Sequence, residues 1–327
     1  MTSVDHMVHL AKRSRDEAMS LLADPEYWSA ELARAELPSL RITPSCRPVE
    51  PRMGRQLGDS EARRLQSEMC REGYSGALDY IDRDACARLA AVSLALLAEG
   101  WSPAFALLFD DAWLIARELG ALMRQTVNRD LVLRYEMFIY CIDSTIARAR
   151  SRGIGPHRDA PTTGFDDSSV GRLPRHCTSW LALSDATVDN GCIVVVPATR
   201  EADLFAARPG EAWDAPIDVE RGLPVEAKVG TALMWGGHVA HWGGVHDRQK
   251  ARGPRITLTC VASVDPIWGL PELEVPTEIG APELPSMEAR LDMIVALIRG
   301  FDPPKEGSAL AELFALMGDR TWRSSRS

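Results

Sequence analysis

What most constrains this chain is a change of period near residue 131. Before it, apolar residues recur at helical spacing. Asp59 reads as the N-cap of a segment carrying Leu65 and Met69 and closed by Gly73. Asp82 caps a second, with Leu89, Val92, Leu96 and Leu97 ending before Gly100, and a third runs from about Asp110 to Thr126. Residues 38–58, with four prolines, read as a meandering connection. After 131 the pattern is one of short runs rich in Val, Ile, Tyr and Phe: Leu131–Ile142, His176–Leu183, Cys192–Val196, Thr231–Trp235, Val239–Trp242 and Arg255–Val261. Turns such as Asp189-Asn190-Gly191 and Gly236-Gly237 join them, with no helix between. Parallel α/β sheets need crossover helices, so this arrangement implies a sandwich or jelly roll. Helical spacing returns at Leu291, Ile294, Val295 and Ile298, and again from Leu310 to Met317. The expectation is a mainly β core with flanking helices: a helical part over 1–130, a β core over 131–265 and a helical extension over 266–327, packed as one structural domain.

With 327 residues the chain can bury a core without disulfide or metal staples. A net charge of −9 disfavours general nucleic-acid binding, which needs a dense positive surface. The most apolar stretch, Leu89 to Leu97, is too short to span a bilayer, and the first residues lack the basic start and apolar centre of a secretory signal. Seven scattered cysteines without a Cys-x-x-Cys pair argue against a zinc ribbon or a disulfide framework, so a cytoplasmic location with free thiols is expected.

Histidine shows where the chemistry lies. Five of the seven histidines fall between 157 and 246, within the β region. In Gly155-Pro156-His157-Arg158-Asp159 the imidazole and carboxylate point the same way if the segment is extended. Alone this is weak, because chance supplies about half a His-x-Asp in a chain of this composition. A third ligand is available in Gly230 to Gly244, where His238 and His241 have opposite parity, so only one of them can face inward. Two histidines and one carboxylate on one face of a metal form the facial triad that suits non-haem Fe(II) and O₂. On the last strand Arg255, Thr257 and Thr259 share one face and Ile256, Leu258 and Cys260 the other, as for a strand lining a polar cavity. An arginine at its head can hold a carboxylate in two-point fashion. Arg148, Arg150 and Arg152 alternate before the metal motif; a solvated edge is the commoner meaning of such a stripe, a clamp for an anion the other. Tyr135 and Tyr140 are assigned to packing, and His176 and His246 to structural roles.

At these residues the chain resembles the Fe(II)/2-oxoglutarate-dependent oxygenases, specifically the phytanoyl-CoA dioxygenase-like branch, from about Gly73 to Ala262. Three stretches carry the likeness: Gly155–Asp159, Thr178–Leu183 followed by Asp189–Arg200, and Gly230–Gly244. Ala198 and Arg200 depart from the branch's usual Gly and His. The resemblance implies a double-stranded β-helix (jelly roll, cupin-like). It implies Fe(II) held by His157, Asp159 and His241, 2-oxoglutarate and O₂ as co-substrates, and Arg255 on the distal carboxylate, with Trp180 shaping that pocket beside Thr257. Arg252 rivals Arg255, because the spacing from the distal histidine is slightly long. Asp159 counts against the branch's halogenases, which carry a small residue there. The implied activity is hydroxylation of a small polar or anionic metabolite, releasing succinate and CO₂. Desaturation or cyclisation on the same iron, and a cupin-type metalloenzyme working without 2-oxoglutarate, are the alternatives. The expected partner is a small molecule, neither nucleic acid nor membrane, and the sequence fixes no oligomeric state.

Overall fold

The computed structural model describes residues 7, 10–34, 41–42, 53–146, 149–160, 164–168, 171–202, 215–264 and 284–317. Ten strands are present among them: β1 (Tyr74–Ala77), β2 (Val132–Ile142), β3 (Phe165–Ser168), β4 (Gly171–Pro174), β5 (His176–Ala182), β6 (Ile193–Val195), β7 (Leu223–Val225), β8 (Ala232–Gly236), β9 (His241–Gly243) and β10 (Arg255–Ser263). All pairings between them are antiparallel. A five-stranded sheet runs β1-β8-β5-β10-β2, a three-stranded sheet runs β7-β6-β9, and β3-β4 form a separate hairpin. The larger and smaller sheets form a jelly roll.

Strand alternation divides the core in two. On β10, Ile256, Leu258, Cys260 and Ala262 join Leu133, Met137, Ile139 and Cys141 of β2 in one large buried cluster shared with the helices. Trp180, Leu233 and Trp235 point the other way and meet Ile193 and Val195 in a smaller cluster between the sheets. The large sheet is therefore apolar on its helix-facing side and mixed on the side that carries the site.

The helices are α1 (Arg15–Leu22), α2 (Pro25–Arg34), α3 (Asp59–Glu72), α4 (Arg83–Ala98), α5 (Asp110–Val127), α6 (Met287–Phe301) and α7 (Ala309–Met317). Asp82 caps α4 as expected, its carboxylate accepting from the Ala85 amide at 2.9 Å. The cap of α3 is Gly58, not Asp59. Asp59 is the first helical residue and, with Glu61, places negative charge where the helix dipole is positive. Gly73 ends that helix at φ 75°, a left-handed conformation that glycine adopts without strain. Arg290 is fully buried on α6 and donates to Asp110 Oδ1 and the Leu108 carbonyl, both at 2.7 Å, tying the last part of the chain to the start of α5.

The distal-histidine segment differs from expectation at its start. Val239 closes a turn by donating to the Gly236 carbonyl at 2.9 Å, so the strand begins at His241. β1, β7 and the β3-β4 hairpin were not foreseen, since strands of three or four residues containing Gly, Pro or Asp give no alternating signal. Most of 38–58, and 265–283 with Trp268, lie outside the described residues. The described cysteines are free thiols; burial pushes Cys86 and Cys141 up to about 12. No described helix is long and apolar enough to cross a membrane.

Candidate metal centre

Three side chains converge between the sheets: the possible ligand atoms of His157, Asp159 and His241 lie within 4.8 Å of one another. His241 opens β9 at the inner edge of the smaller sheet. The segment before Asp159 extends that sheet: His157 pairs with His241, the amide of each donating to the carbonyl of the other at 3.1 and 3.0 Å. Further along, Gly153 and Gly243 meet backbone to backbone, and a Cβ on either would collide with its opposite number. Only glycine allows this approach.

The ring orientations suit a metal. His157 Nδ1 lies 2.7 Å from the Gly155 carbonyl, and His241 Nδ1 lies 3.0 Å from that of Val239. A carbonyl can only accept, so both Nδ1 atoms carry hydrogen and both Nε2 atoms face the centre. They stand 3.4 and 3.5 Å from the same carboxylate oxygen, Asp159 Oδ1. Asp159 Oδ2 is turned away, accepting from Thr178 Oγ1 at 2.7 Å and Trp235 Nε1 at 2.9 Å. One oxygen is thus anchored and the other is free to ligate.

The electrostatics agree. Burial alone would raise Asp159, but the neighbouring His241 and His157 outweigh it and hold the carboxyl well below its usual range. Burial pushes His241 down. His157 rises despite burial, because its bond to Asp159 favours the charged ring. A divalent ion would take the place of that proton.

The triad opens into a cavity of about 360 Å³. β10 contributes Arg255, Thr259 and Val261 to its wall, so two of the three residues expected on the polar face line the cavity and Thr257 does not. Arg255 is 3% exposed, and its Nε and Nη1 have no hydrogen-bond partner. Its guanidinium stands over the Trp180 ring at 5.7 Å, and a side chain at Gly153 or Gly243 would crowd Nη2 at 3.2 or 3.3 Å. Burial lowers this arginine to about 10, so it remains charged at neutral pH. A buried cation without an anion partner among the described residues, fronted by two glycines, offers the surroundings in which an arginine can take a carboxylate. Arg252 is exposed and takes no part in the wall. Thr257 lies on the same face, fully buried and with an unbonded hydroxyl, but behind the wall.

Two features were missed in the sequence. Tyr140 lines the cavity with Glu136 and Phe138 rather than packing in the core. His176 is also in the wall, 2% exposed, with neither ring nitrogen bonded among the described residues; burial keeps it neutral by lowering it to about 4. Leu297 and Phe301 of α6 complete the lining, as expected of the part of the chain after Asp265, whereas the helical N-terminal half, also expected to build the pocket, contributes none of it among the described residues. Counting parity along β2 from Phe138 would have exposed the first of these. Of the arginine stripe, Arg150 pairs with Asp302 at 3.2 Å, Arg152 is exposed and outside the cavity wall, and Arg148 lies outside the described residues. His246 is structural, its Nδ1 3.0 Å from Ser144 Oγ. His238 packs on the Phe165 ring, away from the triad.

A sequence profile described as phytanoyl-CoA dioxygenase (PhyH) matches residues 88–253, just over half of the chain. Among solved structures, the non-heme alpha ketoglutarate dependent epimerase SnoN from nogalamycin biosynthesis superposes with a TM-score of 0.50 at 20% identity, over 70% of this chain and 96% of its own. The non-heme monooxygenase ThoJ gives 0.49 at 17% identity, over 78% and 100%. At 20% identity the likeness to SnoN is one of fold.

Proposed function

Because the chain belongs to the phytanoyl-CoA dioxygenase family, and so is a non-haem Fe(II)/2-oxoglutarate-dependent oxygenase, we propose that it hydroxylates a C–H bond of a small polar molecule. In this reading His157, Asp159 and His241 hold Fe(II), and Arg255 receives the distal carboxylate of 2-oxoglutarate, with Trp180 and Thr257 shaping its surroundings. The observation that carries it is the uncompensated Arg255 guanidinium in the same cavity as the three ligands. Bound Fe(II) with 2-oxoglutarate supplies O₂ activation, one oxygen atom entering succinate as CO₂ leaves and the other entering the substrate C–H bond.

The protein's own part is positional. The Nδ1 bonds fix both imidazoles, and Thr178 and Trp235 fix the carboxylate. His157, Asp159 and His241 would hold the ion from one side and leave it accessible to the keto acid and O₂ from the cavity. Trp180, Ile193, Phe138 and Leu297 keep water from the cavity.

The test is 2-oxoglutarate consumption with Fe(II) and O₂. His157→Ala is expected to fall to background. Arg255→Met should weaken 2-oxoglutarate binding by about 30-fold or more, as truncation of a buried charged partner does. Its metal-free stability should hold or rise, since an unpaired buried charge is removed. Unchanged turnover in His157→Ala would sink the metal assignment. Unchanged 2-oxoglutarate affinity in Arg255→Met would restore the cupin-type alternative.

A further inference from the structure

Once the iron ligands and the keto-acid seat are set aside, the cavity retains one carboxylate with no assigned use. Glu136 stands on β2 beside Phe138 and Tyr140, on the same wall as the triad. Apart from a hydrogen bond with its own backbone amide, its carboxylate has no hydrogen bond or ion pair with another described residue. The cations nearby are engaged elsewhere. Arg134, on the same face of β2, donates from Nε to Ser263 Oγ at 2.9 Å and from Nη2 to the Ser263 carbonyl at 3.3 Å. Arg158, also in the wall, is paired with Glu201 at 2.8 Å, and Arg150 with Asp302.

Register places Glu136 relative to the metal. Between Cys260 and Ala262 the β2-β10 pairing shifts, so that residues 134–136 lie opposite Val261, whose other neighbour across β10 is Thr178. Glu136 and the threonine that anchors Asp159 thus flank one strand, on the order of 10 Å apart. Phe138 lies between Glu136 and Tyr140 on this face, its ring 4.4 Å from Tyr140 and 6.3 Å from Phe301. Aromatic faces beside a free carboxylate are the surroundings that favour an organic cation. The two bare nitrogens of buried His176 supply a neutral polar contact in the same wall.

We propose that Glu136 anchors the primary substrate by a protonated amine or comparable N–H donor, so that the substrate class is a small amine oxidised at a carbon some distance from its nitrogen. This rests on the reading of the cavity as the oxygenase's substrate pocket, and it replaces the expectation of an anionic substrate, because Arg150, the middle residue of the arginine stripe, is paired with Asp302 and neither Arg150 nor Arg152 lines the cavity.

The test uses the full chain and three probes of matched size: phenethylamine, 2-phenylethanol and phenylacetate. Calorimetric titration is run with Fe(II) and 2-oxoglutarate under anaerobic conditions, and again without them. The amine is expected to bind at least tenfold more tightly than either analogue, the preference disappearing in Glu136→Gln and surviving in Glu136→Asp. If the alcohol or the acid binds as well as the amine, if the amine fails to bind at millimolar concentration, or if Glu136→Gln keeps the preference, the proposal is overturned. Should the glutamine variant not fold, the wild-type ranking and the aspartate variant decide. Failure of the oxygenase reading would show separately, as absence of the visible absorption of an Fe(II)–2-oxoglutarate chelate in the wild type.

Discussion

Asp159 has two oxygens, and the fold gives each a different task. Oδ2 takes hydrogen bonds from Thr178 and Trp235, and Oδ1 is turned toward both Nε2 atoms. Removing the Thr178 hydroxyl lets the carboxylate rotate and weakens the direction of its lone pair. Thr178→Val is therefore expected to reduce Fe(II) affinity by about 10- to 100-fold while the fold is kept, as measured by metal titration. An affinity within twofold of wild type would show that Trp235 alone suffices. At this scale the sequence was informative wherever a residue type has few uses. His157, Asp159 and Arg255 were picked out because the clustered histidines, the polar face of the last strand and the resemblance to a known family pointed to the same residues. Glu136, His176 and Tyr140 were not, since Glu and Tyr serve packing and surface roles too often for spacing to separate them.

At the scale of elements, alternation carried most of the information. Because a strand has only two faces, the even residues of β10 sort as expected into the core, and of the odd ones Arg255, Thr259 and Val261 reach the cavity while Thr257 is buried short of it. What alternation could not show was the register shift opposite Val261, a local irregularity of pairing. Nor could it show what holds the loop carrying Asp159. That task falls to Arg158, the middle residue of the motif. Its guanidinium binds Glu201 at 2.8 Å, the His238 carbonyl at 3.1 Å and the Ala215 carbonyl at 3.2 Å, with side chains of the ion pair only 4% and 3% exposed. Arg200, where the family usually has histidine, sits in a short turn and exchanges bonds with the Arg221 segment instead. Glu201→Ala would leave a buried arginine without its anion and should lower unfolding free energy by about 3 kcal/mol in urea titration. A loss below about 1 kcal/mol would show that the two carbonyls carry the load.

For the molecule as a whole, the helical content before 131 and after 286 was legible from periodicity, but its placement was not. Helical spacing tells which side of a helix is buried, never against what. The last long helix reaches the cavity with Leu297 and Phe301 and is secured at its other end by Arg290, which joins Asp110 across 180 residues of chain. Asp110→Asn breaks that pair inside the core. It is expected to loosen α6 ahead of the sheet, seen as faster amide exchange over Met287–Phe301 while β5 and β10 keep their protection. Equal loss of protection in all three would mean that the helix and sheet unfold as one unit.

The glycine pair Gly153 and Gly243 has a longer reach than its size suggests. Where two ligand-bearing segments touch through bare main chain, their separation is set by peptide dimensions, which no substitution in the surrounding walls can alter. The grip on the ion is in this way insulated from the shape of the chamber. Descendants of such a chain can exchange wall residues to admit new guests while the gap between the two imidazoles stays as it is.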